Sequence, residues 1–583
     1  MFVHLSNFRL ACLCLSGLFL AASFGGGVFA QTPAGTPLPT PAPDGVVPVP
    51  SSLMTPAPAP TPTPNDPMPV APKLGLPPAP MPSTERVGVN NADQLPLTIE
   101  QAVELALKNN NDIEASRKDV KISDFNLRGA RGVYDPLING QGYYESRTTP
   151  TASTIGGAVN GAVTQRQFFG DAGVSGFVPK YGGSYDLSFT SARLFSTNRN
   201  STLNPQFPTS LVATFTQPLF RGLRFDNNRR TIEIAKKNIS LSDSQLRLRA
   251  ITVVSGVEQA YWDLTAALRN LQIATDTLRV SKEQLESNQR LVSKGVLAPI
   301  EIVAANAQIS SLEQLVFGAQ ESVTRAENSL KTLMLPNPAA PEWQRPITPV
   351  SPIDQAVPQI GLVVALGEAM RSRPELQQLD INADINKINL RYYRDQTKPQ
   401  IDLVGSYTAA GLAGTPNPLS SGAANVPANL QGGYVNSLAN LFQQDFPTYR
   451  AGVVISLPWG NNVAKANLGR TLVEGDKLKN QVAQEEQIVE AEVRNALQAL
   501  RSAEARVASS TAARIAAEEL SSSEERQFRA GTTTFFLVSQ RQTDLLVARA
   551  REVQARTDLN RAISEFNRAI GRTLDVNNVT VLK

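Results

Sequence analysis

Apolar residues recur at heptad spacing through the middle of the chain. Val257, Leu264, Leu271, Leu278 and Leu285 stand seven apart, and Tyr261 and Leu268 fill the alternate positions. Such a stripe is the seam of a coiled-coil helix, whose side chains interlock with those of a neighbour. It stops at Lys294-Gly295 and restarts with Ile302, Ile309, Val316, Val323 and Leu330, accompanied by Ala305, Leu312, Ala319, Ala326 and Leu333. Two long helices meeting at a glycine predict an antiparallel hairpin. At about 1.5 Å per residue, the arm from Asn227 to Lys294 reaches roughly 100 Å. No compact core needs such a rod.

The chain then repeats itself. Asn126, Leu127, Pro136, Ile138, Gly142 and Tyr144 align without a gap on Asn389, Leu390, Pro399, Ile401, Gly405 and Tyr407. Later, Phe215-Thr216-Gln217-Pro218 matches Ile455-Ser456-Leu457-Pro458, and Lys294-Gly295-Val296 matches Ala530-Gly531-Thr532. Two copies of one unit are predicted, the first with the longer loops. Each copy opens with a helix. Thr98 and Gln101 form a capping box in the first, and the second runs from about Leu362 to Tyr393 with Pro374 breaking it. In the second copy Val493, Leu500 and Val507 keep the heptad, with Ala496 and Ala503 tightening the seam. The last helix carries Val538, Leu545, Leu559 and Phe566 in phase, is interrupted by Glu552, and stops at Gly571.

Between the opening helix and the rod the period changes to two. Ile138, Gly140, Gly142 and Tyr144 alternate with Asn139, Gln141 and Tyr143; Ile401, Leu403, Gly405 and Tyr407 alternate with Asp402, Val404 and Ser406. Returning strands follow around Ala213–Phe215 and Val453–Leu457. An extra pair lies near Ala172–Val178 and Ser184–Ala192, turning at Pro179-Lys180-Tyr181-Gly182, and is either wall or a separate flap. One face is apolar, the other small or polar, with aromatic ends at Tyr143, Tyr144, Tyr407 and Trp459. With export, this suggests a membrane barrel. Four strands cannot close one, so the chain is expected to oligomerise.

Export is read from the N-terminus: Arg9, an apolar stretch from Leu10 to Ala22, and Val28-Phe29-Ala30 as a cleavage site. Residues 1–30 are the leader, and 31–86, dense in Pro, Ala and Thr, form a disordered tether. The first repeat spans 87–345 and the second 346–583. Cys12, Cys14 and the single His4 all fall in the leader. The mature chain is left without disulfides, thiolate or imidazole metal sites, or Cys and His catalysis; no cofactor is expected. A net charge of +4 over 583 residues gives no nucleic-acid footprint. Paired acids such as Glu485-Glu486 and Glu518-Glu519 lie on predicted helices and read as solvated surface, so an enzyme is not expected.

Several strings resemble the TolC-type outer-membrane efflux and secretion channel family: LTIEQAVELALKNNNDI, FTQPLFRG, and the two helical tips SKGVLAPIEIVAANAQ and RAGTTTFFLVSQRQTDLL. The likeness runs from about Gln94 to Leu574, through both copies and in family order. It implies an α+β chain forming a homotrimer: a twelve-stranded outer-membrane β-barrel, four strands per protomer, continued by a long periplasmic α-helical coiled-coil barrel. The tips, Lys294, Gly295, Val296, Leu297 and Ala298 with Arg529, Ala530, Gly531, Thr532 and Thr533, are then the contact for a periplasmic adaptor (membrane fusion) protein. Such channels close at the tip through a lumen gate, for which the candidates are Glu301, Phe528, Leu537 and Gln540. Glu301 keeps an acid just after the first tip. Phe528 stands where the family usually has tyrosine, Thr533 where it has arginine, and Leu537 and Gln540 where it has aspartates. The function implied is a passive exit duct in outer-membrane lipid, serving an inner-membrane pump of RND or ABC type in a tripartite efflux or type I secretion system. The alternative from another class is an exported coiled-coil spacer or adhesin, which leaves the alternating strand pairs unexplained.

Overall fold

The computed structural model describes residues 86–90, 93–152, 156–158, 160–420 and 425–579. The chain divides after Pro82, and all described residues belong to the unit Ser83–Lys583. The leader and, apart from Arg86, the tether lie outside the described residues. No described helix is long and apolar enough to cross a membrane.

The duplication is visible element by element. Helices α1 (Ile99–Asn109) and α5 (Leu362–Ser372) have 11 residues each, and α2 (Asn111–Arg131) and α6 (Pro374–Gln396) have 21 and 23. The rods α3 (Asn227–Ser293) and α8 (Asn462–Arg529) have 67 and 68, and the returning arms α4 (Ile300–Met334) and α9 (Phe535–Ala569) have 35 each. Short strands β1 (Leu95–Leu97) and β6 (Ile347–Pro349) pair in parallel and tie the two copies together. A four-residue helix, α10 (Thr573–Val576), follows α9.

Local chemistry sets the helix ends. Thr98 Oγ1 accepts from the Gln101 amide at 3.2 Å while Gln101 Oε1 accepts from the Thr98 amide at 3.0 Å, the capping box read from the sequence. Pro374 does open a new helix. The first copy breaks at the same place without a proline: the Asn110 side chain accepts from the Asp112 and Ile113 amides and restarts the chain as α2.

The buried cores sit where α1 and α5 lie against the long helices. In the first copy Tyr261, Trp262, Val257 and Leu264 of α3 pack on Val103 and Ala106 of α1 and Leu330 of α4. Tyr261 donates its hydroxyl proton to the Leu97 carbonyl at 2.9 Å and accepts from the Ser351 amide at 3.0 Å, so the buried phenol is satisfied. In the second copy Ala365 and Ala369 of α5 meet Val489, Val493 and Leu500 of α8 and Phe566 of α9. Toward the tip of α3 the buried stripe moves to Ala274, Ser281 and Asn288, and the predicted Leu271, Leu278 and Leu285 become half-buried.

The sheet corrects the expectation of four strands. It has six antiparallel strands in the order β2 (Leu137–Pro150), β3 (Ala162–Phe177), β4 (Ser184–Ser196), β5 (Leu203–Pro218), β7 (Gln400–Pro416) and β8 (Phe446–Ser456). The extra hairpin belongs to this sheet: β3 pairs with β2 from Leu137↔Ser175 to Pro150↔Ala162 and with β4 from Gln165↔Ser196 to Phe177↔Ser184. Its turn is tight, with Tyr181 at φ 64° and Gly182 at φ 67°.

Cross-strand rows alternate in chemistry over the half of the sheet nearer the helices. One row reads Ile138, Val174, Leu187, Ala213, Tyr407, Tyr449, and the next on that face reads Gly140, Ala172, Phe189, Leu211, Ala409, Pro447. Between them, on the other face, runs Asn139, Gly173, Ser188, Val212, Thr408, Thr448, preceded by Leu137, Ser175, Asp186, Thr214, Ser406, Arg450. Because side chains alternate strictly along a strand, one face of this half is apolar and the other mainly small and polar, while farther out Ser191, Thr209 and Arg193 fall on the first face. All four connections to the helices leave from the end near Leu137, Pro218, Gln400 and Ser456. Toward the other end, α7 (Tyr434–Gln443), in the loop between β7 and β8, packs on β5 and β7.

Candidate functional site at the helical tips

The two tips are built alike. At the end of α3 the Gly295 amide donates to Val292 O at 2.9 Å and the Val296 amide to Leu291 O at 3.0 Å. At the end of α8 the Gly531 amide donates to Phe528 O at 2.9 Å and the Thr532 amide to Gln527 O at 3.0 Å. Gly295 and Gly531 take φ of 73° and 75°, the left-handed conformation that ends a helix in this way. Lys294 and Arg529 put cations at the negative ends of the helix dipoles, and Arg529 pairs with Glu525 at 3.2 Å.

The side chains around these turns are largely apolar and uncovered. Val296 is 71% exposed and Phe536 is 71% exposed, with Ile300 and Val303 also exposed beside the first turn. Leu297 is half-buried and Ala298 exposed. The sequence reading named Val296 and Leu297 and missed Ile300, Val303 and Phe536. The heptad assigned the core but gave no reason to ask what the outer face of the first helical turn presents. Exposed apolar side chains of this size are costly to leave in water.

The gate candidates are dispersed. Phe528 is turned into its own hairpin, 6.1 Å between ring centroids from the buried Phe535. Thr533 donates its hydroxyl proton to Glu524 across the same turn. Leu537 is exposed, and Gln540, also exposed, donates to Asp544 Oδ1 at 3.1 Å. Glu301 is half-buried, its amide bonded to Ala298 O at 3.1 Å, with no ion-pair partner among the described residues. The two hairpins touch near their tips: Gln308 of α4 donates to Thr543 Oγ1 of α9 at 3.3 Å.

Farther from the tip, polar groups cross the apolar seams, and Glu552 is the one the sequence read as an interruption. It is buried and held by Thr511, Arg514 and Arg556. Burial pushes its carboxyl up, but the bonds from Thr511 and Arg556 and the Arg514 charge outweigh this, leaving it below the ordinary range. Glu258, in the first core, goes the other way. Burial raises it, and bonds from Ser564 and from Asn577 Nδ2 (2.8 Å) restore only part. Among the described residues no group of His, Cys, Asp and Glu is arranged to hold a metal.

Residues 171–334 match the model of the outer membrane efflux protein family. No curated protein matches the chain by sequence. Solved outer-membrane channels share its fold. The Campylobacter jejuni CmeC channel has a TM-score of 0.58 at 15% identity, covering 82% of this chain and 86% of that one. Vibrio cholerae VceC has 0.55 at 15%, covering 81% and 96%. The open state of Neisseria gonorrhoeae MtrE has 0.55 at 17%, covering 82% and 89%. The sequence match, from the second half of β3 through β4, β5 and the first helical hairpin, is thus to the outer membrane efflux protein family, and the fold is the one these outer-membrane channels share.

Proposed function

We propose that this chain is the outer-membrane exit duct of a tripartite efflux or type I secretion system, passive in itself and opened at its helical tip by a periplasmic adaptor and an inner-membrane pump. The observation that carries the reading is the alternation of rows across all six strands. An apolar face Ile138 to Tyr449 suits lipid, and a face bearing Asp186, Ser406 and Arg450 suits a water-filled lumen.

The sheet is open at β2 and β8, and a membrane tolerates no unpaired strand edge. Closure therefore recruits further copies, β8 of one pairing with β2 of the next. In a homotrimer, six strands each give eighteen, not the twelve expected from the family. Barrel diameter grows with strand number, and barrels of about 16–18 strands leave an aqueous channel. The wall is wide, so the narrowest point falls in the helical part, where the rods α3, α4, α8 and α9 pool into a coiled-coil tunnel. The exposed Val296, Ile300 and Phe536 support the tips as the adaptor contact. Opening is a rearrangement of coiled coils that adaptor binding favours.

The test is single-channel recording in planar bilayers with the purified full chain, alongside its mass in detergent. Stepwise conductance from a trimer is expected. A monomeric chain that never inserts overturns the reading and returns the exported spacer to first place.

A further inference from the structure

Helix α7 is turned inside out for a helix in water. Ser437, Asn440 and Leu441 are buried against the sheet, while Val435 and Phe442 stand 76% and 75% exposed, with Tyr434 beside them. Its grip on β5 and β7 is polar and close. Ser437 Oγ lies 2.8 Å from Thr209 Oγ1, and Asn440 Nδ2 donates to the Leu412 and Asn429 carbonyls at 2.8 Å each. Gly411 permits the approach, since a Cβ there would come within 2.2 Å of the Ser437 carbonyl oxygen. A helix that buries hydroxyl and amide groups while exposing Val and Phe needs an apolar medium on its far side.

The register says which side that is. Gly411 pairs with Thr209 and lies two residues beyond Ala409 on the same strand, so it shares the face that carries Ala409, Tyr407 and Leu403. Helix α7 therefore lies on the apolar face of the sheet, not on the face bearing Asp186 and Arg450. Its height follows from the strand. From Gln400 to Ala409 the chain rises about 30 Å, or about 23 Å at an outer-membrane strand tilt of roughly 40°. That is close to the ~25 Å apolar band of such barrels, which puts α7 at its outer rim.

We infer that α7 is an interfacial anchor that lays Val435, Phe442 and Tyr434 into outer-leaflet lipid, at the boundary between headgroups and acyl chains. The inference rests on the reading of the apolar face as the lipid face. It adds a lipid-binding element outside the barrel wall, continuous with that face and held to it through Thr209 and Asn440.

Nitroxide labels on single cysteine variants of the full chain, reconstituted in phospholipid vesicles, test it by accessibility to oxygen and to a water-soluble nickel chelate. The probes are Val435→Cys and Phe442→Cys; Leu403→Cys reports the apolar face and Ser406→Cys the polar face. Expected is a severalfold preference for oxygen over chelate at positions 435 and 442, as at 403, with the reverse at 406. Chelate access at 435 and 442 with 403 still in lipid overturns the anchor alone. Exclusion of both reagents from 435 and 442 also overturns it, since those side chains are then packed on protein. Chelate access at 403 itself overturns the lipid-face reading beneath it. A Val435→Asp, Phe442→Asp pair gives a second readout: slower bilayer insertion with unchanged unitary conductance is expected, and unchanged insertion counts against the anchor.

Discussion

The Lys331 ammonium lies 2.6 Å from the Glu327 carboxylate, and each side chain is only 1% exposed. The other carboxylate oxygen takes Arg86 at 2.6 Å, and Lys331 also donates to the Trp343 carbonyl at 2.8 Å. The end of the proline-rich segment is thereby pinned into the helical body. Removing one member of such a group strands a buried charge, which costs about 3–5 kcal/mol. Glu327→Ala should lower the denaturant midpoint of the helical signal accordingly, whereas Glu327→Met combined with Lys331→Met, which leaves only the less buried Arg86 without its partner, should recover part of the loss. Equal destabilisation by the single and double variants would sink this account.

A pH dependence follows from Glu258. Its folded-state pKa is raised by burial, so the folded chain holds this proton more tightly than the unfolded chain. The stability it lends is therefore fully present below the unfolded value, near 4.3. It declines as pH rises through the folded value and is flat above that. Glu258→Gln keeps a group for Ser564 and Asn577 to bond and removes the titration. The variant should match the parent at pH 4 and exceed it at pH 7 in denaturant midpoint. Parallel curves across that range would show that Glu258 is not the titrating group.

The three glycines that stop long helices should not be equally sensitive. Gly295 and Gly531 have positive φ but open space where a Cβ would stand, so alanine costs the left-handed strain alone, about 1–2 kcal/mol. Gly571, at φ 77°, would set its Cβ 2.9 Å from Ser372 Oγ, which already bonds Ile570 O at 3.0 Å. Gly571→Ala should therefore cost at least about 1 kcal/mol more than Gly295→Ala through overpacking. Thermal midpoints of the two variants in one detergent decide it.

At the tips, charge placed on the exposed apolar side chains should cut adaptor binding without harming assembly. Val296→Glu or Phe536→Glu leaves both turns intact, since each side chain faces out. Site-specific crosslinking to the adaptor is expected to fall at least tenfold while the assembled mass stays unchanged. Undiminished crosslinking would move the contact elsewhere on the helices.

How much of this was legible beforehand depends on how local the signal is. The rods were readable because a heptad states its partner face in every turn, and the glycine turns because left-handed backbone selects glycine. The Pro374 break was visible. Its counterpart at Asn110 was not, because an asparagine cap depends on two amides that exist only once α2 forms. The extra hairpin was seen as strands, but its place in the sheet was not. Near its start β3 carries Thr164-Gln165-Arg166-Gln167, which looks like loop until β2 and β4 pair with it on either side. At the tips, Gly295 and Gly531 were found, whereas Ile300 and Phe536 were missed because period reveals the buried side of a helix and says little about the other.

Glu552 is where that limit is clearest, and it yields the last prediction. A heptad alone asks for leucine there, and Glu552→Leu is the change sequence pattern would recommend. In the fold the carboxylate joins Thr511 and Arg514 of α8 to Arg556 of α9. Arg514 keeps Glu518 as a partner and Arg556 keeps Asp354, so the two cations are not stranded altogether. The Thr511 hydroxyl loses its acceptor and each guanidinium loses one, at about 1–3 kcal/mol for unmet buried groups. Leucine returns part of this as burial of a side chain, about 1.5–3 kcal/mol when complete. Near-neutral overall stability is therefore expected at neutral pH. The pH profile should still change: Glu552 is held below its ordinary value, so the parent gains stability above the unfolded pKa and loses it as pH falls through the folded one. The leucine variant should lack that acid-side loss. Its denaturant midpoints from pH 7 down to pH 3 should fall less steeply than the parent's, and an identical slope would mean that the Glu552 network contributes nothing to holding α8 and α9 together.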